Sequence, residues 1–137
     1  MTDYTVIGKF RNSNNVRALI AGIRDKGKTC YDFTDKPADP DNPEASFEKQ
    51  MANLESHKDF LNDPVHRYHY ERDLAGLKNA DTVILLLPAG TSTHIEAGIA
   101  FGLGKKIVLI GKPEKPETLY FIFDEYFDTV DDFLRSF

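Results

Sequence analysis

One acidic residue stands where a reaction could be run. Glu96 follows a turn of small residues, Ala89-Gly90-Thr91-Ser92-Thr93, which follows the apolar run Val83 to Leu87 and its terminator Pro88. A carboxylate placed beside a turn of free backbone amides can act as a nucleophile or as an electrostatic stabiliser at an anomeric carbon. Retaining glycosyl chemistry needs such a group because its transition state resembles an oxocarbenium ion. The same residues allow a purely structural use. Thr93-x-x-Glu96 has the spacing of a capping box, in which the glutamate returns to the amide of the cap residue.

A second carboxylate, Asp73, precedes the apolar run, and His69 lies four residues before it, on the same face of a helix. Taken alone, Asp73 reads as a solvated helix charge, or half of an exposed pair, more readily than as a functional group. His94 sits at the turn itself. Two further segments end short apolar runs. Gly8-Lys9-Phe10-Arg11 offers a glycine that lets a ligand approach the backbone, two cations for an anionic group and a ring to stack on a base. It also reads as an ordinary loop with solvated charges. Tyr31-Asp32-Phe33 offers Asp32 as an acceptor for a sugar hydroxyl. The four histidines and single cysteine show no metal-ligand spacing, so no metal is expected.

These residues need elements to hold them. Tyr4 to Gly8 reads as a first strand. Asn12, Ser13 and Asn14 offer caps for a helix with Val16, Leu19, Ile20 and Ile23 on one face, closing near Gly27. Lys28 to Phe33 reads as a second strand. Residues 34–43, with three prolines and three aspartates, form a loop. Glu44 to about Leu61 has a weak helical pattern and reads as a helix over the domain or a lid. Pro64 starts a helix whose apolar stripe is Tyr70, Leu74 and Leu77. The run at Asp81 to Leu87 is uniformly apolar after its first residues, as in a parallel strand covered on both faces, and Asp81 at its start is structural. A helix from about Thr93 to Leu103 follows, with Ile95, Ile99 and Leu103 behind Glu96. Gly98 and Gly102 on it read as allowing close packing on the sheet. Lys105 to Gly111 is another buried strand, Thr118 to Phe123 a last strand, and Val130 to Phe137 a last helix.

Alternation of strand and helix predicts an α/β fold: one three-layer flavodoxin-like or Rossmann-like domain over 1–137, a mainly parallel sheet of about five strands, and a variable insert at about 34–64. The two strongest apolar strands belong near the centre of the sheet. No Gly-x-Gly-x-x-Gly follows the first strand and no Walker-type loop occurs, so the usual dinucleotide and phosphate-loop signatures are missing. The chain has 137 residues and a net charge of −5, a balance unsuited to coating a nucleic-acid polymer. The single Cys30 permits no internal disulfide, a count that suits a reducing cytoplasm. Neither a signal peptide nor a membrane span is expected.

The segment Tyr70 to Gly111 resembles the nucleoside 2-deoxyribosyltransferase-like superfamily. The resemblance rests on Asp73-Leu74-x-x-Leu77-x-x-Ala80-Asp81, the apolar strand, Pro88 through Gly98, and Gly104-Lys105-Lys106, with Gly8 to Arg11 and Tyr31 to Phe33 as the first two strand ends. It implies that Glu96 attacks the anomeric carbon of a 2'-deoxynucleoside and releases the base, and that a second base or water then takes the sugar. Asp73 would assist the base. Gly90 and Ser92 would line the sugar or a phosphate. No cofactor is implied, and a homodimer or larger homo-oligomer is, with the site often completed by a neighbour. Many of the transferases carry an acid six residues before the glutamate, where this chain has Gly90. A related branch hydrolyses 2'-deoxynucleoside 5'-monophosphates, for which Lys9 or Arg11 would suit the phosphate. Pro88-x-Gly90…Thr93-x-x-Glu96 also partly resembles a motif of nucleotide phosphoribohydrolases. A non-catalytic nucleotide sensor and an NAD glycohydrolase are the rival expectations.

Overall fold

The computed structural model describes residues 1–137. Five strands form one sheet: β1 (Thr2–Ile7), β2 (Cys30–Tyr31), β3 (Ala80–Leu86), β4 (Lys106–Ile110) and β5 (Glu125–Phe127). Every pairing is parallel and the order is β2-β1-β3-β4-β5, so the fold is α/β with β3 at the centre. Ile84 of β3 is fully buried, as are Val83 and Leu85. A strand buried on both faces needs no polar alternation, which is why Val83 to Leu86 is apolar without interruption.

Helices cover both faces. Helix α1 (Ser13–Asp25) and helix α5 (Val130–Arg135) lie on one side, where Val16, Leu19, Ile20, Ile23 and Phe133 meet Val6, Ile84, Leu86, Val108 and Ile110. Helix α3 (Pro64–Asn79) and helix α4 (Thr91–Gly102) lie on the other, where Leu77, Ala97 and Ala100 meet Val83, Leu85, Ile107 and Leu109. Each fully buried aliphatic chain contributes about 1.5–3 kcal/mol by leaving water. Cys30 belongs to the first core, and burial pushes its thiol up to about 12. No helix is long and apolar enough to cross a membrane.

Several expected boundaries are corrected. The second strand spans only Cys30 and Tyr31, not Lys28 to Phe33. The Asp3 carboxylate accepts from the Thr29 amide at one end, and the Asp32 carboxylate accepts from the Thr34 amide at the other, so side chains bend the backbone away from the ladder. Glu44 to Leu61 is not one helix. Helix α2 (Phe47–Glu55) starts where the Ser46 hydroxyl accepts from the Lys49 amide, and a separate 3-10 turn covers Phe60–Asn62. Asp63 then caps α3, with Pro64 at its first position, which a missing N–H suits. Thr118 to Phe123 is no strand: Thr118–Ile122 is a 3-10 turn, and the fifth strand comes later, paired through Val108 to Ile110. The turn buries Phe123 but leaves Leu119 and Phe121 exposed.

Two expected faces are also corrected. On α3 the buried residues are Val65, Gly76 and Leu77, while Tyr70 is exposed. On α4, Ile95, Ile99 and Leu103 face outward, and the sheet is met by Thr93, Ala97 and Ala100. Gly98 and Gly102 are exposed with open space where a Cβ would stand, so they do not serve helix–sheet packing.

Candidate active site

The sheet order reverses between β1 and β3, since their crossovers run to opposite sides. In such sheets the crevice beyond the carboxyl ends of the strands is the usual ligand position. Here it holds a cleft of about 340 Å³. Its floor is the end of β1 with Gly8, Lys9 and Phe10. Asp73 and His69 come from α3, and Glu96 with the turn Gly90 to Thr93 from α4. The insert between β2 and α3 supplies a third wall through Met51 and Leu54 of α2. A second, apolar groove of about 530 Å³ runs between α3 and α4 and shares Asp73 and Glu96 with the first.

Both carboxyl groups are half-buried, and both are held above the ordinary carboxylate range. Burial is the main cause at Glu96, followed by the negative charge of Asp73, and together they push it up to about 8. Burial raises Asp73 as well, while His69, when it carries a proton on both ring nitrogens, and Arg72 pull it back. Two carboxyls facing one cleft cannot both ionise cheaply, so the charge of Asp73 opposes ionisation of Glu96. Such a pair suits acid–base division, one group charged and the other a proton donor.

The local fold explains why Glu96 is available. The cap of α4 is Gly90, not Thr93, and Thr93 lies within the helix, donating its hydroxyl to the Gly90 carbonyl at 2.8 Å. The capping box expected at Thr93-x-x-Glu96 is therefore not formed. Glu96 stands one turn further along and points to the cleft. Gly90 brings no side-chain cap, and a Cβ there would meet nothing within 4 Å. The first amides of α4 are thus left for a ligand, at the positive end of the helix.

The other expected residues divide. Gly8, Lys9, Phe10, Phe33, Asp73, Gly90, Ser92 and Glu96 line the cleft together. Gly8 owes its lack of a side chain to the core, because a Cβ would lie 2.8 Å from Val16 Cγ2. Arg11 turns away: its guanidinium meets Glu55 at 2.8 Å and Glu48 at 3.6 Å on α2. The Asp32 carboxylate is held by the amide and hydroxyl of Thr34 at 2.8 and 2.5 Å, and does not face the cleft. His94 bridges the Gly90 carbonyl and the Tyr120 hydroxyl, both at 2.7 Å, and so fixes the start of α4 from outside the cleft. No group of three or more His, Cys, Asp or Glu side chains gathers as a metal site.

Sequence reasoning missed Tyr31, Met51, Leu54, His66, Thr91 and Thr93 as cleft residues. Their signal was weak because they come from an insert, a two-residue strand and a helix start. The rings of Phe10 and Phe33 meet edge to face at 5.2 Å, and His69 meets Phe10 at 5.7 Å. The cleft therefore pairs an aromatic and apolar wall with two carboxyls and a helix start.

No protein-family model and no curated protein matches the chain. Solved structures do. A 2-deoxyribosyltransferase from the psychrotolerant bacterium Bacillus psychrosaccharolyticus is similar at 18% identity and a TM-score of 0.64, with 96% of this chain and 90% of that one covered. A CMP N-glycosidase from Clostridium botulinum is similar at 18% identity and a TM-score of 0.54, with 98% and 96% covered. The chain therefore shares its α/β fold with this 2-deoxyribosyltransferase and this CMP N-glycosidase.

Proposed function

We propose that the protein is an enzyme that cleaves or transfers at the N-glycosidic bond of a 2'-deoxynucleoside, with Glu96 as nucleophile and Asp73 as proton donor. The observation that carries this reading is the sharing of one cleft by two half-buried carboxyls, beside an uncapped helix start and an aromatic wall. The two similar folds, a 2-deoxyribosyltransferase and a CMP N-glycosidase, agree with it. Glu96 first passes its proton to Asp73; the ionised Glu96 then attacks the anomeric carbon, the bond to the base breaks, and its electron pair leaves with the base. Asp73 gives the departing nitrogen a proton. A second base, or water deprotonated by Asp73, then attacks the same carbon and frees Glu96. The base lies against Phe10 and Phe33, and the sugar lies over Glu96 and the turn at Gly90 and Ser92.

Hydrolysis of a 5'-monophosphate is the second reading. The free amides of α4, Ser92 and the exposed Lys9 on the opposite lip favour it, since helix starts bind phosphate. In either reading the protein works as a homodimer or larger homo-oligomer. The groove between α3 and α4 exposes Phe60, Leu61, Tyr70, Ile95 and Ile99 beside the carboxyls, and a second copy would cover it.

The test is chromatographic. Deoxynucleosides and their monophosphates are incubated with and without a second base, beside Glu96→Ala. A new nucleoside establishes transfer, and free base alone establishes hydrolysis. Stabilisation by ligand with no Glu96-dependent product would point to a sensor instead.

A further inference from the structure

Two histidines of α3 line the cleft, and they are engaged differently. His66 has both ring nitrogens occupied, Nδ1 at 2.5 Å from Asp63 and Nε2 at 3.1 Å from the Leu54 carbonyl. His69 uses only one. Its Nε2 lies 2.6 Å from the Ala38 carbonyl, and its Nδ1 makes no hydrogen bond within the protein. A carbonyl can only accept, so Nε2 must carry the hydrogen and neutral His69 keeps its lone pair on Nδ1. That nitrogen is not sealed in the core, and the residue borders both clefts.

The carbonyl that sets this tautomer is itself held rigidly. Ala38 is buried, and so is Asp39 beside it. The Asp39 carboxylate accepts from Asn42 at 2.8 Å and Asn53 at 3.1 Å, and its amide donates to Gln50 at 3.0 Å. The insert thus forms a polar knot that presents one carbonyl to one ring nitrogen of α3. The neighbouring walls, Phe10, Phe33, Met51 and Leu54, are apolar and offer no side-chain hydrogen bond to the edge of a base.

We propose that His69 is the specificity-determining residue of the base site. Its Nδ1 accepts a hydrogen bond from an exocyclic amino group, so that cytosine- or adenine-type bases are favoured over their oxo counterparts. An oxo group in the same place would set oxygen lone pairs against the nitrogen lone pair. The assignment rests on the glycosyl reading above for its substrate, but the interaction itself is one of binding.

Isosteric pairs test it: deoxycytidine against deoxyuridine and deoxyadenosine against deoxyinosine, with their monophosphates. Asparagine carries its amide at the depth of Nδ1, and glutamine at the depth of Nε2. His69→Gln therefore keeps the tie to Ala38 and loses the acceptor, while His69→Asn does the reverse. The wild type is expected to favour the amino member by about tenfold in kcat/KM, the scale of one hydrogen bond with its unpaired alternative. His69→Gln should bring the ratio near one, and His69→Asn should keep most of it. Turnover with a ratio near one in the wild type, or an unchanged ratio in His69→Gln, overturns the assignment and leaves the glycosyl reading standing. If no substrate turns over, the glycosyl reading fails by itself, and titration with free cytosine, uracil, adenine and hypoxanthine decides. His69-dependent binding of the amino bases then supports the assignment, and equal or absent binding overturns it.

Discussion

Helices α1 and α4 flank the same sheet from opposite sides and obey opposite rules. Helix α1 buries Val16, Leu19, Ile20 and Ile23 and keeps its charged residues, Arg17, Arg24 and Asp25, on its exposed face. Helix α4 meets the sheet through Thr93, Ala97 and Ala100, turns Ile95, Ile99 and Phe101 outward, and holds a carboxyl half-buried. The first is what an amphipathic helix should be. The second breaks the pattern at three positions. Natural chains break such rules where function requires it and offset the cost elsewhere. The difference separates a helix that serves the core from one that serves a site and an outer surface.

Substitutions on the two helices should therefore fail in different ways. The largest effect is expected at Glu96: replacement by alanine or glutamine should lower turnover at least about 10³-fold, as loss of a nucleophile does. Single-turnover base release checks this, and a variant with near-normal rates would put the chemistry elsewhere. The same residue should cost stability. Glu96 is protonated in the fold up to about 8, whereas an unfolded glutamate ionises near 4.5. Its contribution to stability is complete below 4.5 and is lost as pH rises from 4.5 through about 8. At 1.36 kcal/mol per unit the loss is at most about 5 kcal/mol. Glu96→Gln should match the wild type in Tm near pH 4 and exceed it at pH 9; equal Tm values at both would show that the carboxyl is not desolvated.

On α1 the expectation reverses. Leu19→Ala should cost about 3 kcal/mol in denaturant unfolding, the usual range for a buried leucine, with kcat unchanged in the folded fraction. A smaller effect concerns the coupling of the two carboxyls. The charge of Asp73 helps to raise Glu96, so Asp73→Asn should move the rising limb of the kcat/KM–pH profile toward lower pH. A limb that stayed in place would assign the shift to burial alone. The smallest effect is expected on the outer face of α4, where Ile99→Ser should change monomer stability by less than about 1 kcal/mol. Its mark should be weaker self-association in sedimentation; an unchanged assembly would remove this face from any dimer contact.

The same contrast explains what could be seen in the sequence. The uniform apolar run of β3 and the 3.6-residue period of α1 reported their burial directly. Glu96 was legible because a carboxylate after a small-residue turn is an uncommon pattern, whereas Asp73 read alone as a solvated helix charge and gained its role only from the resemblance of the helix that carries it. The outward face of α4 was misread because period alone cannot tell which side of an apolar helix meets the sheet. The short β2 and the late β5 are edge strands of two and three residues, too brief to carry a period. Arg11 and Asp32 were placed by chain position, but which partner takes a charge depends on the insert, whose path has no local code.

That path also bears on how quickly a bound molecule can escape. Helix α2 hangs over the cleft, and Arg11 straps it down through Glu48 and Glu55, with all three side chains well exposed. Exposed ion pairs contribute about 0–1 kcal/mol and weaken as ions screen them. Opening of this wall should therefore become easier as the ionic strength of the medium rises, while the half-buried carboxyls of the cleft are screened far less.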